Sequence, residues 1–343
     1  MKILLISPSW VGDAVIAQSL YKNLRENDSS VSLDVLAPSW TLPIISRMPE
    51  VSNAILLPFR HGELSLRYRW KFGKGFLNKN YEWVIVLPNS LKSSIVPWAT
   101  NIAKRTGWLG EFRYFFLNDI SRLIKSDHPL MVQRFCALAN NFEPIGDKFT
   151  FPSLEINSGN LELIGKGFAL NLNQETLILC PGAEFGPAKR WPAQNYASIA
   201  NHYLSRNKQI ILLGSQKDIQ VCKQIESNIN PKETEYFFNL CGKTSLEDTV
   251  DILSMGLVVS NDSGLMHVAA AVNSKQVALF GPTDPDFTPP LNKNSKIIRK
   301  TTGYNKVRQG PGEEGYHPSL QRISFEEVVD VVDELLNKNQ IPT

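Results

Sequence analysis

The chain has 343 residues and a hydrophobic content of 43%, which together predict about two domains with packed cores and exclude a disordered protein. Its formal net charge is +3, and its four cysteines lack CxxC and Cys/His spacing, which predicts reduced, buried thiols rather than a disulfide scaffold or a metal site. Met1 leads directly into an apolar strand, and no apolar run nears the roughly 18 residues of a membrane span, so we expect a cytoplasmic protein without a signal peptide.

The N-terminal part of the chain alternates between apolar strand patterns and amphipathic helix patterns. The strand patterns cover Lys2–Ser7, Ser32–Ala37, Ala54–Leu57 and Trp83–Leu87, and the helix patterns cover residues 13–26, 39–47, 90–103 and 129–141. This order predicts a mainly parallel sheet with helices on both faces. Open parallel sheets bind ligands at the carboxyl ends of their strands, so the loops that follow the strands are candidate sites.

The first of these loops, SPSWVGD at residues 7–13, ends with an acidic residue at the start of a helix. The loop lacks the closely spaced glycines of the G-x-G-x-x-G fingerprint, which argues against a nicotinamide- or flavin-dependent Rossmann enzyme. Asp13 itself fits two roles. It is either a first-turn acid that the helix dipole stabilises by about 0.5–1 kcal/mol, or a general base at a ligand site.

Positive charge is concentrated in the N-terminal part of the chain. Residues 1–150 carry 18 Lys and Arg against 12 Asp and Glu, a net of +6, whereas the remainder carries 18 against 21, a net of −3. The densest stretch, residues 60–76, interleaves Arg and Lys with aromatic side chains. This pattern suits nucleic acid, anionic lipid head groups or a solvated loop, and the residues alone leave the three open.

A looser stretch at residues 141–160 interrupts the alternation and predicts a linker. Strand patterns return from Thr176 and recur at Gln209–Leu213, Leu257–Ser260 and Gln276–Phe280, and a last helix is predicted near residues 324–337. We therefore predict one domain over residues 1–160 and a second over residues 161–325. The final segment, residues 326–343, either belongs to the second domain or packs back on the first.

Residues 177–192, LILCPGAEFGPAKRWP, predict a strand that runs into a loop rich in Pro and Gly. Lys189 and Arg190 close this loop, and Pro192 stands where a helix commonly begins. The two basic side chains are either solvated charges before a helix or cations that stabilise a negatively charged leaving group.

A strand, a polar turn, a helix and a second strand are predicted over residues 257–280. The turn contains Asp262 and Ser263, which are good helix N-caps, and free N–H groups at the positive end of a helix are a natural seat for a phosphate. Gly264 has no side chain to hinder that approach. His267 lies near the same side of the helix and either hydrogen-bonds the phosphate or supports the turn. An ordinary capped α/β unit is the alternative.

Three further turns in the C-terminal part are less informative. Asp284 and Asp286 match an Asp-x-Asp pattern that can hold Mg²⁺, but the flanking prolines favour a structural turn. The strand-end turns at residues 214–215 and 242–246 suit a nucleotide, and nothing in them distinguishes adenine from uracil.

Several longer motifs match one protein family. They are SWVGD at 9–13, APSW at 37–40, SRMPEV at 46–51, VLPNSLKS at 86–93, RTGW at 105–108, LND at 117–119, CPGAEFGPAKRWP at 180–192, NDSGLMHVAAA at 261–271, PDFTPPL at 285–291 and GYHPSL at 315–320. With these motifs the chain resembles, over nearly its whole length, the bacterial lipopolysaccharide heptosyltransferases of glycosyltransferase family 9, and more closely their type II branch. The resemblance implies the GT-B architecture, in which two Rossmann-like α/β domains with mainly parallel sheets face each other across a cleft.

The resemblance also implies an activity. The donor would be ADP-heptose and the acceptor heptosyl-Kdo₂-lipid A, the lipopolysaccharide inner core at the inner face of the cytoplasmic membrane. Transfer would invert the anomeric centre in a single displacement, with Asp13 as the base and Lys189 on the donor diphosphate. We expect no metal or other cofactor, no nucleic-acid partner, a monomer, and peripheral association with the membrane.

The expected binding residues follow from the same motifs and turns. The donor set comprises Lys189, Gly214, Thr244, Asp262, Ser263, Gly264, Leu265 and His267, and the acceptor set comprises Arg60, Asn89, Lys92 and Arg113. Within the family, heptosyltransferase I or a later core transferase is the alternative. Outside it, a non-catalytic nucleotide- or lipid-binding module remains, and such a module would not need the carboxylate of Asp13.

Overall fold

The computed structural model describes residues 1–60, 62–312 and 314–337. The chain divides into two units, Met1–Pro152 and Ser153–Thr343. The sequence placed this boundary at residue 160, which lies inside the first helix of the second unit, Ser158–Phe168. That helix begins where the side chain of Asn157 accepts a hydrogen bond from the N–H of Asn160 at 3.0 Å, so the linker ends before it.

The first unit contains a six-stranded parallel sheet with helices on its faces. Its elements are β1 (Lys2–Ile6), α1 (Val11–Asn27), β2 (Ser32–Ala37), α2 (Leu42–Ile45), β3 (Asn53–Leu56), α3 (Leu66–Lys74), β4 (Trp83–Val86), α4 (Ile95–Ala99), β5 (Lys104–Trp108), β6 (Asp119–Ser121) and α5 (Met131–Cys136). The strand order is β3-β2-β1-β4-β5-β6, and all neighbours run parallel. In the centre, Ile3 of β1 pairs with Leu33 on one side and Trp83 on the other.

Continuous apolar runs in the central strands fit a sheet that is covered on both faces. β4 is buried along its whole length, and β1 is buried from its second residue onward. One covering layer is formed by α3 and α4, which approach closely because Gly73 has no side chain: a Cβ there would lie 2.6 Å from the carbonyl oxygen of Val96. Phe72, Val96 and Ile102 fill the core beneath this layer.

The second unit repeats the architecture. Its elements are α6 (Ser158–Phe168), β7 (Thr176–Cys180), α7 (Ala193–Leu204), β8 (Gln209–Leu212), α8 (Ile219–Glu226), β9 (Phe237–Asn239), α9 (Leu246–Leu253), β10 (Leu257–Asn261), α10 (Gly264–Ala271), β11 (Gln276–Phe280), β12 (Ser295–Arg299), α11 (Pro318–Gln321) and α12 (Phe325–Asn337). The strand order is β12-β11-β10-β7-β8-β9, again all parallel. Two Rossmann-like units with parallel sheets confirm the predicted α/β fold class.

Each sheet has one position where the chain changes its direction of winding. In the first unit this switch point lies between β1 and β4, and in the second unit between β7 and β10. At a switch point the loops after two neighbouring strands leave in opposite directions and open a crevice at the carboxyl edge of the sheet, where open α/β sheets bind their ligands.

The last helix packs within the second unit. α12 contacts α7 and β11, and its side chains Val328, Val332 and Leu335 are buried in the core of that unit. The hydroxyl of Tyr203 donates to Asp333 Oδ1 at 2.7 Å and fixes the helix further. Residues 338–343 of the predicted C-terminal segment lie outside the described residues.

The strands β5, β6, β9 and β12 were not predicted. Their sequences mix polar and apolar residues, and they lie toward the margins of the sheets, where fewer side chains are buried. The helix predicted over residues 90–103 is shorter, because the chain first forms a 3-10 turn, Leu91–Ser94, and then only α4.

Two compositional predictions can be compared directly with the structure. The thiols of Cys136, Cys180, Cys222 and Cys241 are free and buried, as predicted. Within residues 1–60, 62–312 and 314–337, no helix combines the length and apolarity needed to cross a bilayer.

Candidate functional site

A cavity of about 360 Å³ opens at the switch point of the first unit, where the loops after β1 and β4 meet. Its volume lies in the range of roughly 300–1,000 Å³ that small-ligand pockets occupy. The structure brings four predicted site residues together on its lining: Asp13, Arg60, Asn89 and Lys92. These residues come from α1, from the segment after β3 and from the loop after β4, so only the folded sheet makes them neighbours.

Asp13 lies in the first turn of α1 and is half-buried in the cavity wall. The N-cap of this helix is Trp10, which supplies no side-chain hydrogen bond to the helix end. The loop before it is held by Trp40, whose indole N–H donates to the carbonyl oxygen of Ser9 at 2.7 Å. The position at a positive helix end favours an ionised carboxylate, which is the form that accepts a proton.

Arg113 corrects one prediction. We expected it to contact the acceptor, but its side chain is fully buried, and its guanidinium donates to the carbonyl oxygen of Pro88 at 2.6 Å, to the carbonyl oxygen of Trp108 and to Asn89 Oδ1 at 3.4 Å. Burial lowers the pKa of Arg113 to about 10, partly opposed by the nearby Glu111 carboxylate, so the group stays charged at neutral pH. Arg113 therefore positions the loop that lines the cavity.

One cation of the basic stretch at residues 60–76 differs from the others. Arg69 is a buried residue of α3, and it donates to the carbonyl oxygens of Glu63 at 2.9 Å and Leu64 at 2.8 Å. Its guanidinium also lies 4.0 Å from the centroid of the Phe59 ring. Arg69 thus fixes residues 63–64, which lie just before α3, against the helix. The other cations of this helix, Arg67, Lys71 and Lys74, are exposed.

In the second unit, an ion pair lies at the switch point. Lys189 Nζ is 2.5 Å from Asp262 Oδ2, and the hydroxyl of Thr283 donates to the same oxygen at 2.6 Å. Asp262 follows β10 directly, and Lys189 ends a 3-10 turn after the neighbouring strand β7. The sequence placed both residues near a diphosphate but did not predict that they bind each other, because nothing in their 73-residue separation indicates the contact.

Asn261 joins the two loops that carry this pair. Its side-chain oxygen accepts a hydrogen bond from the N–H of Trp191 at 2.9 Å, and its amide group donates to the carbonyl oxygen of Pro181 at 2.8 Å. The side chain is fully buried, so both bonds are shielded from water. Asn261 therefore fixes the Lys189 loop against β10.

The N-terminus of α10 lies next to the ion pair, because its N-cap, Ser263, directly follows Asp262. Its N-cap, Ser263, makes no side-chain capping bond, and its hydroxyl lies 3.4 Å from that of Ser260 instead. The first-turn N–H groups of a helix have no intrahelical partner, so those of Gly264 and Leu265 suit an anion. We predicted the same role for the N–H of Asp262. That N–H donates instead to the carbonyl oxygen of Leu279 at 3.1 Å and is therefore not available to an anion.

His267 lies one turn into α10 and is buried. Burial lowers its pKa to about 4; the Asp262 carboxylate raises it and the Lys189 ammonium lowers it by smaller amounts. The imidazole is therefore neutral at pH 7 and has one N–H to donate. Both predicted roles, a phosphate contact and support of the turn, remain compatible with a neutral ring.

Gly214 and Thr244 follow the neighbouring strands β8 and β9. The carbonyl oxygen of Gly214 accepts a hydrogen bond from the N–H of Gly242 at 2.9 Å, so the two strand-end turns lie side by side. A Cβ at Gly214 would approach Cys241 Sγ to 2.9 Å. Thr244 is half-buried, with its hydroxyl 3.3 Å from that of Thr249.

Two cations near the Lys189 loop were not predicted. Lys306 Nζ lies 5.9 Å and the guanidinium carbon of Arg308 lies 5.3 Å from the centroid of the Phe185 ring, and Lys189 Nζ lies 5.6 Å from the same ring. Both side chains are exposed, and among the described residues neither has an ion-pair partner. Their loop is pinned because the N–H of Ala188 donates to the Arg308 carbonyl oxygen at 3.1 Å. Their sequence, KVRQG, carries no motif that indicates this convergence.

The Asp284-x-Asp286 segment forms a turn, as its prolines suggested. Asp284 Oδ1 accepts a hydrogen bond from the N–H of Asp286 at 3.1 Å and pairs with Arg299 at 3.0 Å. This carboxylate is therefore already compensated by a cation of β12.

Comparisons with known proteins show what the chain is similar to. Residues 69–317 match the model of glycosyltransferase family 9 (heptosyltransferase). The chain is 43% identical to lipopolysaccharide heptosyltransferase 2 of Escherichia coli K12 over 98% of its length and 99% of that protein, and 44% identical to lipooligosaccharide heptosyltransferase 2 of Haemophilus ducreyi over the same shares. A solved structure of E. coli ADP-heptose LPS heptosyltransferase II matches with a TM-score of 0.89 at 40% identity, over 99% of this chain and 100% of that one.

Proposed function

The chain belongs to glycosyltransferase family 9, the heptosyltransferases, and from this premise we propose that it transfers L-glycero-D-manno-heptose from ADP-heptose to the first heptose of the lipopolysaccharide inner core. The named relatives support this choice of reaction within the family. The observation that carries it is the cavity of the first unit, which is lined by a half-buried carboxylate, Asp13, and by the polar side chains of Asn89 and Lys92.

The reaction is a single displacement with inversion. Asp13 accepts the proton of the acceptor hydroxyl as the oxygen forms a bond to the anomeric carbon of the heptose. The bond from that carbon to the diphosphate oxygen breaks at the same time, and the electron pair leaves with ADP. One carboxylate is sufficient, because no covalent glycosyl-enzyme forms and no second group has to act as nucleophile.

The departing diphosphate needs positive partners. On this proposal, Lys189, the N–H group of the N-cap Ser263 and the first-turn N–H groups of Gly264 and Leu265 stabilise its charge. His267 donates its single N–H to a phosphate oxygen or to the turn, while Gly214 and Thr244 face the nucleoside. On this proposal these groups take the place of a metal ion, and the best candidate metal ligand, Asp284, is paired with Arg299.

The acceptor is proposed to bind in the first unit. Arg60, Asn89 and Lys92 line the cavity and suit the carboxylates and phosphates of heptosyl-Kdo₂-lipid A. Since this acceptor is anchored in a lipid bilayer, the enzyme would work at the inner face of the cytoplasmic membrane, and we propose that it does so as a monomer. Arg113 acts indirectly on this proposal, through its hydrogen bonds to the loop at residues 88–93.

The decisive experiment incubates the protein with ADP-heptose and a panel of truncated acceptors and weighs the products. Addition of one heptose to heptosyl-Kdo₂-lipid A, and none to Kdo₂-lipid A, supports the proposal. Addition to Kdo₂-lipid A instead identifies a heptosyltransferase I, and absence of transfer to every acceptor leaves a binding module. A parallel assay with EDTA tests the metal: full loss of activity that Mg²⁺ restores would contradict the metal-free mechanism.

A further inference from the structure

The most exposed large apolar side chains of the first unit lie on one short loop, residues 110–116, which we name the aromatic loop. Phe112 is 84% exposed and Phe115 is 87% exposed, and Tyr114 between them is also exposed. Apolar surface of this size is costly in water, and contiguous exposed patches of it mark interaction sites. The mechanism proposed above uses none of these three rings.

The aromatic loop is held in its exposed conformation by the residues around it. Arg113 follows Phe112 in the sequence, and its buried guanidinium anchors the loop to the carbonyl oxygens of Pro88 and Trp108. Glu111 accepts a hydrogen bond from the N–H of Leu91 at 2.7 Å. Glu111 and Phe112 have φ values of 43° and 56°, a conformation that bulky residues rarely adopt unless the surroundings enforce it. The rings therefore protrude from a rigid support.

The loop continues into a broader surface of the same unit. Phe116 packs edge-to-face against Trp98 of α4, with 5.6 Å between the ring centroids, and Trp98 is 45% exposed. α4 in turn packs against α3 through Gly73. The outer surface of α3 exposes further apolar side chains, among them Tyr68 and Trp70.

The positive charge of this surface favours an anionic lipid bilayer as its partner. Residues 60–125 contain twelve Lys and Arg against four Asp and Glu. Arg69 and Arg113 are buried, and without them the net charge of this stretch is +6, which still exceeds the net charge of the whole chain. On α3 the exposed cations Arg67, Lys71 and Lys74 alternate with the exposed apolar side chains, and Lys74 Nζ lies 3.6 Å from the Trp70 ring. Aromatic rings with cations beside them suit the boundary between lipid head groups and acyl chains, where rings enter the apolar layer and cations meet phosphates.

We propose that the aromatic loop inserts Phe112 and Phe115 into the head-group boundary of an anionic bilayer, while the cations of α3 bind the lipid phosphates. This inference deepens the proposed function, since it rests on a lipid-anchored acceptor. It also links docking to the site: Arg113 and Glu111 connect the inserted loop to residues 88–93, which line the cavity that holds Asp13. A bilayer bound to the loop would thus lie next to the acceptor site.

The test compares the wild type with Phe112→Asn/Phe115→Ser. Asn tolerates the left-handed backbone at position 112, and both rings are so exposed that their loss leaves the core intact. We expect sedimentation with vesicles of equimolar phosphatidylglycerol and phosphatidylcholine to weaken by about tenfold or more. Turnover of an acylated acceptor in such vesicles should fall as well, whereas kcat/KM for a deacylated, soluble acceptor should stay at the wild-type value.

Two controls complete the design. Leu163→Ser removes an apolar side chain of the second unit that is 69% exposed and should leave vesicle binding unchanged. Phe112→Trp/Phe115→Trp keeps aromatic rings and should retain binding, because Trp prefers this interface.

Three results would overturn the inference. The first is unchanged vesicle binding by Phe112→Asn/Phe115→Ser. The second is a loss of activity on the soluble acceptor that equals the loss on the acylated acceptor. The third is a double variant that is a monomer where the wild type is a dimer and that still binds vesicles. Vesicle binding is measured without donor or acceptor. A wild type that binds vesicles through these rings but transfers no heptose therefore contradicts the proposed function alone.

Discussion

Lys189 Nζ lies 2.5 Å from Asp262 Oδ2, although the sequence placed both residues near the same negatively charged ligand. Asp262 is buried and also accepts a hydrogen bond from Thr283, so its carboxylate is a fixed partner of the cation. The pair thereby holds the long Lys189 side chain in one place at the end of β7. The Lys189 ammonium is therefore already oriented when a diphosphate binds, but it interacts with the Asp262 carboxylate as well as with the diphosphate.

Lys189→Ala should weaken ADP binding by about 10- to 100-fold, because a charge-assisted contact of roughly 1.5–3 kcal/mol is lost. Isothermal titration with ADP measures the change. The variant should also be less stable to denaturant, since it leaves the buried Asp262 carboxylate without its cation. Lys217→Ala is the matched control: Lys217 pairs with Glu184 in the same unit but is exposed, so ADP affinity and stability should both stay near wild type.

Asp13→Ala should lower kcat by about 10²- to 10⁴-fold, the usual contribution of a general base, with little change in ADP affinity. Steady-state kinetics with saturating donor give kcat, and titration with ADP gives the affinity. Asp28→Ala removes a carboxylate from the other end of α1 and should leave kcat unchanged. Near-normal turnover by Asp13→Ala would remove Asp13 from the mechanism.

Lys306→Ala/Arg308→Ala should weaken ADP binding by about tenfold while leaving adenosine binding unchanged, because these cations converge on Phe185 next to Lys189 and suit the diphosphate. The difference between ADP and adenosine isolates the phosphate contribution from the nucleoside contribution. Lys166→Ala/Lys223→Ala removes the same charge from the C-terminal turns of α6 and α8 and serves as the control. Equal ADP affinity of the wild type and both double variants would show that the two cations do not contact the phosphates.

The pH dependence of the free energy of unfolding should show that the folded-state pKa of His267 is low. Its folded-state pKa of about 4 lies below the ordinary value of 6.5. Between these pH values His267 is therefore protonated in the unfolded chain and neutral in the folded chain. The contribution of His267 to the free energy of unfolding is therefore fully present above pH 6.5 and falls as the pH drops toward 4. The total loss is at most about 3 kcal/mol. Denaturant unfolding of the wild type and His267→Gln from pH 8 to 4 measures the effect as the difference between the two proteins.

That difference also removes the contributions of other histidines. Burial lowers the pKa of His128, His202 and His317 as well, and these groups contribute equally to both proteins. A wild-type curve parallel to that of His267→Gln over the whole range would contradict the low pKa of His267.

The sequence predicted the central strands well because the strands around each switch point are apolar along nearly their whole length and end in recognisable loops. β5, with Lys104 and Arg105 at its start, carries no such signal, since it lies toward the margin of its sheet and is only partly buried. Residues on the loops after β1, β4, β7 and β10 could be assigned to a site because strand ends converge in this fold.

Contacts within the site could not be predicted in the same way. A basic residue in a loop is as consistent with a solvated charge as with a buried anchor, and burial depends on what packs above it. Arg113 and Arg69 both proved to be buried and bound to carbonyl oxygens, whereas Lys306 and Arg308, which no motif distinguishes, converge on Phe185.

The cations of α3 give the last prediction, and the structure divides them into two groups. Arg67, Lys71 and Lys74 are exposed and should attract anionic lipid by about 1 kcal/mol each at low salt. Arg67→Ala/Lys71→Ala/Lys74→Ala should therefore raise the KM for a vesicle-bound acceptor and weaken sedimentation with anionic vesicles, and ADP affinity should not change. Arg69→Ala should act differently, by lowering the denaturant midpoint, because its hydrogen bonds to residues 63–64 are lost.

The control for the α3 variant is Lys166→Ala/Lys223→Ala/Lys293→Ala, which removes three exposed charges from the second unit and so tests whether total charge alone matters. If the attraction is local to α3, only the α3 variant loses vesicle binding, and the loss shrinks as salt is added because exposed charges are screened over about 10 Å at 0.1 M. Equal binding by both variants at low salt would mean that these cations are merely solvated, and would leave the aromatic loop as the sole bilayer contact to be tested.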